Sequence, residues 1–192
     1  MKIIMETERL FLRELTPSDL EDMKRVLQDK DVMYAYEHAF SDEEVLQWLN
    51  NQLARYKKDG IGLWAVILKD TDQMIGQCGL TYQKAGDKTL LEVGYLFEKA
   101  YWHRGYASEA AFTCICYAID VLDAKKVYSI IRENNFPSQK VALRNHMTLC
   151  GKTVKHYYGM DMPHQIYCVN AEEIDRIRDE LYQVPLSNGK FA

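Results

Sequence analysis

Prolines are scarce in this 192-residue chain, four in all, and glycines number ten. That excludes a collagen-like repeat, and no Pro- or Gly-rich tract reads as a linker or low-complexity segment. An excess of one charge is lacking too. There are 24 Lys and Arg against 28 Asp and Glu, a formal net charge of −4. "KRVLQDK" (24–30) and "ARYKK" (54–58) are mixed helix faces, not basic stripes. Tight nucleic-acid binding, which needs clustered Lys and Arg, is disfavoured, so no nucleic-acid partner is expected. The longest apolar run, "AAFTCICYAI" (110–119), is half of the roughly 20 residues that span a bilayer. The opening "MKIIMETERL" turns charged within six residues and shows no signal-peptide core. A cytoplasmic protein without a membrane partner is the expectation.

Cysteines are few, odd in number and scattered: Cys78, Cys114, Cys116, Cys150 and Cys168. Cys114 and Cys116, two apart, fall on roughly opposite sides of a helix and cannot chelate one ion together. His156 and His164 alone do not make a site either. Buried, reduced thiols and no metal are expected.

What is present is globular: 47% hydrophobic and 27% charged residues, in a length that suits one domain over residues 1–192. "ERLFLREL" (8–15) alternates like a half-buried strand. Thr16, Pro17 and Asp19 signal a helix start. Ser41 and Glu44 have capping-box spacing ahead of a second helix over 41–56. Strands are predicted at 62–69, 73–83 and 89–97, joined by hairpin-type connections. A long helix over 105–122, a strand at 125–132, a short helix at 137–147, strands at 153–159 and 165–170, and a helix at 172–184 with a tail at 185–192 complete the chain. The order predicts a mixed α/β fold, a mostly antiparallel central sheet with flanking helices. The strand at 89–97, the helix and the strand at 125–132 form a right-handed crossover.

"KAYWHRGYASEAAF" (99–112) opens the long helix without Ser, Thr, Asp or Asn at its start. Strand, short glycine loop and helix N-terminus together suit a phosphate, because N–H groups converge there and the helix dipole adds partial positive charge. From these residues alone an anion site and a plain turn with hydrated N–H groups both remain open. Neither a full G-x-G-x-x-G nor a lysine-bearing phosphate loop is present, which disfavours dinucleotide and ATP binding.

"VGYLFEKAYWHRGYASEA" (93–110) resembles the acyl-CoA-binding segment of the GNAT N-acetyltransferase superfamily, most of all the branch that includes ribosomal-protein N-terminal acetyltransferases. Gly94, Tyr95, Tyr101, Trp102, Gly105, Tyr106, Ala107, Ser108, Glu109 and Ala110 carry the pattern. "TERLFLRELTPSDLEDM" (7–23), "MIGQCGL" (74–80) and "NNFPSQKVALRN" (134–145) are similar to three further family motifs, and the likeness runs from about residue 7 to about 170. It implies the family's fold, with a splayed central strand pair, and acetyl-CoA as donor. The pyrophosphate would lie at the N–H groups of Arg104, Gly105, Tyr106, Ala107 and Ser108. The pantetheine arm would run along Tyr95, Leu96 and Phe97, with Asn135 bonding it, capping a helix, or both. Ser138 would protonate the departing thiolate, and Glu92 is the candidate general base. Glu109, in the first helical turn, suits the dipole for structural reasons.

By the same analogy Tyr157, Tyr158 and His164 fall on the acceptor side, with Tyr34, Tyr36, Glu37 and His38 as the opposite wall; packing and surface roles stay open for each. His146 stands where the family usually carries the glycine that ends a helix, so a locally altered turn is expected there.

The resemblance implies transfer of acetyl to a primary amine by direct attack through a tetrahedral intermediate. The alternatives are an acyl-CoA-binding regulatory module without turnover and a partner-binding protein whose loop is only a turn. A protein N-terminus, an antibiotic, a polyamine or an amino acid all suit such a scaffold. The net charge slightly favours a cationic acceptor, and either a monomer or a homodimer is compatible.

Overall fold

The computed structural model describes residues 2–157 and 159–182. The strands are β1 (Ile3–Glu6), β2 (Leu10–Arg13), β3 (Leu63–Leu68), β4 (Gln73–Ala85), β5 (Lys88–Phe97), β6 (Lys126–Arg132), β7 (Thr148–Tyr157) and β8 (Met160–Asn170). The helices are α1 (Leu20–Leu27), α2 (Asp42–Asp59), α3 (Tyr106–Asp120), α4 (Phe136–Arg144) and α5 (Ala171–Tyr182). The strands form one sheet in the order β1-β2-β3-β4-β5-β6-β8-β7. Every neighbouring pair is antiparallel except β5 and β6, which are parallel and joined through α3.

β3 explains why the sheet is covered on both sides. Its sequence LWAVIL is buried at all six positions. Alternate side chains point to opposite faces of a strand. Trp64, Val66 and Leu68 enter a core shared with Ala110, Ala111, Cys114, Ile115 and Ala118 of α3. Ala65 and Ile67 enter a second core with Met23, Val26 and Leu27 of α1 and Val45 and Leu49 of α2. On another side of α3 Ile115 is buried, while Phe112 and Ile119 are partly exposed and pack against the same core.

Local signals act as their chemistry predicts. Ser41 and Glu44 form a capping box on α2, and Gly60 ends that helix in the left-handed region at φ 72°. A 3-10 turn over Pro17–Asp19 precedes α1, and the buried Asp19 carboxylate takes two hydrogen bonds from Arg13, at 2.7 and 2.8 Å.

Several expectations are corrected. The single strand expected at 8–15 is shorter, and β1 pairs with it as a separate strand; its four residues are too few to show a period. β7 begins five residues earlier than expected and carries a register shift between Leu149 and Gly151. Cys150, expected to be buried, is exposed on this edge strand; Cys78, Cys114 and Cys168 are buried and Cys116 partly so. His146 adopts φ 60°. The turn expected to be altered there is a complete Schellman motif, with Met147 N–H donating to Ala142 C=O at 3.0 Å and His146 N–H to Leu143 C=O at 3.1 Å. Histidine therefore fills the glycine position, at the cost of left-handed backbone strain. Tyr158 and the expected tail at 185–192 lie outside the described residues. Among the described residues no helix is long and apolar enough to cross a membrane.

Candidate active site

β5 and β6 share a single paired register, Glu92 with Tyr128, and then diverge. Side chains take over the hydrogen bonds that a continuing ladder would make. Ser129 Oγ donates to Val93 C=O at 3.2 Å, and Ile130 N–H donates to Glu92 Oε1 at 2.9 Å. Past this patch opens a cleft of about 980 Å³ whose walls include Tyr95, Leu96 and Phe97 on one side and Ile131, Asn135 and Ser138 on the other.

At one end of the cleft stands the start of α3. Its N-cap is Gly105, left-handed at φ 84°, and no side chain caps the helix. The first intrahelical bond runs from Glu109 N–H to Gly105 C=O, so the N–H groups of Tyr106, Ala107 and Ser108 precede any intrahelical partner. Gly105, Tyr106, Ala107 and Ser108 all line the cleft.

The loop is fixed from outside by Arg9. Its Nε donates to Glu109 Oε2 at 2.7 Å, its Nη1 donates to Arg104 C=O at 2.9 Å, and its guanidinium lies 4.4 Å from the Tyr106 ring centroid. Thr7 Oγ1 donates to the second Glu109 oxygen at 2.5 Å. Glu109 is thus fully engaged as an anchor, in keeping with its expected structural role. Arg104, expected beside the anion, does not line the cleft; its guanidinium sits 5.7 Å from the Tyr101 centroid, where the ring face attracts a cation. Arg9 is the cation that reading the sequence missed. Its partner is 100 residues away, and no local spacing signals it.

The middle of the cleft is held by α4. Asn135 is its N-cap: Oδ1 accepts from Ser138 N–H at 3.2 Å and from Tyr34 Oη at 2.6 Å. With that oxygen occupied twice, the amide NH₂ is the group left to meet a ligand. Tyr95 Oη donates to Ser138 C=O at 2.9 Å, and burial holds this phenol above its usual range. Ser138 is therefore gripped through both its N–H and its C=O, and the residue lines the cleft. Phe97 C=O already accepts from Trp102 Nε1 at 2.9 Å, which ties the aromatic pair at 101–102 to the strand end.

Glu92 lies toward the other end. Desolvation raises its carboxyl above the ordinary value; Lys155, the Ile130 N–H and Arg55 oppose the shift without cancelling it. Tyr36, Tyr157 and His164 line the cleft. Tyr36 packs edge-on against Phe40 and Trp48, at 6.1 and 5.9 Å. His164 Nδ1 lies 2.7 Å from Met162 C=O, which can only accept; the ring proton is therefore on Nδ1 and the lone pair on Nε2. Burial lowers its pKa, and nearby Lys155 and Arg132 push the same way. Glu37, expected on the wall, does not line the cleft: its carboxylate pairs with Arg132, which does. Among the described residues no group of three or more His, Cys, Asp or Glu is placed to hold a metal ion.

Comparison with known proteins gives the same frame. The family model described as acetyltransferase (GNAT) domain matches residues 9–148. The uncharacterized protein YkkB of Bacillus subtilis (strain 168) is 32% identical over 142 residues, 73% of this chain and 83% of YkkB. The uncharacterized N-acetyltransferase YnaD of the same organism is 31% identical over 136 residues, 70% and 76% of the two chains. A solved structure of RimL, a ribosomal L7/L12 alpha-N-protein acetyltransferase in complex with coenzyme A, shares the fold with a TM-score of 0.73 at 19% identity, covering 88% of this chain and 98% of that one. An open parallel strand pair leading into an uncapped helix, within a domain matched over these residues, assigns the chain to the GNAT acetyltransferase family.

Proposed function

We propose that the protein moves acetyl from acetyl-CoA to a primary amine, by direct attack of the amine on the thioester. The observation that carries this reading is the parted β5–β6 pair, with an uncapped helix start at one end and a desolvated carboxylate at the other. The residues present fit acetyl-CoA. The Tyr106, Ala107 and Ser108 N–H groups, with the Gly105 turn, suit a pyrophosphate. The open edge of β5 at Tyr95 and Leu96 and the Asn135 amide suit the two amides of a pantetheine arm.

Bound acetyl-CoA supplies the activated acetyl group. Glu92 takes a proton from the incoming ammonium, directly or through water, and its raised pKa brings it toward the range where a base works near neutrality. As the C–S bond breaks, the Ser138 hydroxyl relays a proton to the departing thiolate. It is reprotonated from the nitrogen of the tetrahedral intermediate, directly or through water, which leaves the neutral amide and CoA thiol. None of the five cysteines lines the cleft, which favours direct transfer over an acyl-enzyme. Likeness to a ribosomal-protein acetyltransferase supports a protein N-terminus as one candidate acceptor.

Free-thiol release with acetyl-CoA over a panel of amines, paired with calorimetric titration of acetyl-CoA alone, tests the reading. Binding with turnover is expected. No binding at millimolar concentrations overturns it, and binding without turnover assigns a binding module instead.

Two variants test the individual roles. Gly105→Val places a β-branched residue at a positive φ, strained by about 1–2 kcal/mol or more, and should weaken acetyl-CoA binding on the order of tenfold while the chain stays folded. Unchanged affinity would remove the pyrophosphate from this loop. Ser138→Ala should lower kcat roughly tenfold with little change in KM, because the hydroxyl acts as thiolate departs.

A further inference from the structure

Around Glu92 the cleft carries more positive charge than the chain as a whole. Arg55 of α2, Arg132 of β6 and Lys155 of β7 line it there, against the Glu92 carboxylate. Arg132 is neutralised by Glu37. Arg55 is not: its hydrogen bond is to the neutral Gln52 Oε1, at 3.3 Å. The Lys155 side chain makes no hydrogen bond or ion pair among the described residues, its backbone alone pairing with Met162 of β8. Neither cation comes within ion-pair distance of Glu92, yet both act on it electrostatically.

Gln52 adds to the imbalance. It is fully buried and lines the cleft, its Oε1 is spent on the Leu63 N–H at 3.0 Å and on Arg55, and its Nε2 has no partner. Donors thus exceed acceptors at this end, and a buried unpaired donor is costly. The surplus does not serve the phosphates of the donor. In the acetyltransferase reading these sit at α3, past Phe97, five residues along β5 from Glu92, which is about 17 Å at the rise of a strand.

We propose that the acceptor is a primary amine that carries its own carboxylate, its ammonium directed to Glu92 and its carboxylate to Arg55 and Lys155. The proposal rests on the acetyltransferase reading and narrows its substrate. A polyamine would set a second ammonium against two uncompensated cations. A neutral amine would leave them unmatched. A carboxylate-bearing amine satisfies both signs, and Tyr36, Phe40 and Trp48 wall the space around it. The overall acidity of the chain, which favoured a cationic acceptor, does not describe this end of the cleft.

The test is calorimetry on the CoA-saturated protein with acceptor pairs that differ only in the carboxylate. One arm compares tyrosine with tyramine. A second compares peptides with Asp or Glu after a free N-terminus with their Asn or Gln counterparts. Spermidine is the control. In at least one arm the carboxylate member should bind ten times more tightly or better, and the arm that shows it identifies a free amino acid or a peptide as the source. Arg55→Gln with Lys155→Met should bring the ratio close to one, and Arg55→Lys should keep part of it. Equal or weaker binding of the carboxylate members in both arms, preference for spermidine, or a ratio untouched in the double variant overturns the proposal. Failure to bind CoA at the outset instead overturns the acetyltransferase reading beneath it.

Discussion

Replacing Glu92 with Gln should lower kcat by about 10²- to 10⁴-fold, the usual worth of a positioned general base. Gln is the right probe, since its amide oxygen can still accept the Ile130 N–H that Glu92 takes at 2.9 Å, so the junction of β5 and β6 survives. The pH profile gives a second signature. A base must be deprotonated, so wild-type activity should rise with pH through a pKa above the ordinary 4.5, because burial raises this carboxyl. In Glu92→Gln that limb should flatten.

Stability should move in the opposite direction. A carboxyl whose folded pKa is raised binds its proton more tightly when folded, so its contribution is favourable below the unfolded value and is lost as pH rises through the folded one. Above the folded pKa the ionised Glu92 therefore costs stability, and there Glu92→Gln should raise Tm as it lowers kcat. An unchanged kcat would move the base to His164, whose Nε2 lone pair is available on the cleft.

Gly79→Ala should be among the most damaging single-methyl changes in the chain. Gly79 lies in β4 between Leu63 of β3 and Gly94 of β5. A Cβ there would meet Gly62 O at 2.0 Å and Leu63 Cα at 2.8 Å. These are backbone atoms, so no rotamer relieves the overlap and the two central strands must part. The expected loss is about 3 kcal/mol or more, a Tm fall of roughly 6–12 °C for a chain of this size. Gly94→Ala is the control: its Cβ would meet only Leu63 Cδ2 at 3.6 Å, and it faces the cleft. It should keep its stability. A Tm for Gly79→Ala within a degree or two of wild type would show that β3 and β4 separate easily.

The parts of this molecule that could be read in advance are those whose cause is local. The missing cap at 105, the capping box of Ser41 and Glu44, and the strand–loop–helix order around 99–112 depend on a few adjacent residues, and each has its expected form. The misses depend on distance in sequence. Arg9 reaches Glu109, Tyr34 reaches Asn135, and Arg55 and Lys155 converge from α2 and β7 on a residue of β5. No spacing rule joins positions so far apart. The Arg104 guanidinium faces the Tyr101 ring, a contact set by how the loop folds rather than by charge alone. At His146 the helix-ending turn forms without glycine, because its hydrogen bonds involve only main-chain atoms.

The side-chain patch where β5 leaves β6 bears on how fast the protein takes up its donor. Strands that part without substitute partners would tend to close and would have to be prised open by each arriving molecule. Here Ser129 and Glu92 satisfy the main-chain groups at the fork before anything arrives. The gap is then a standing shape, and uptake should follow simple second-order kinetics set by encounter, with no slow unimolecular opening step at high donor concentration.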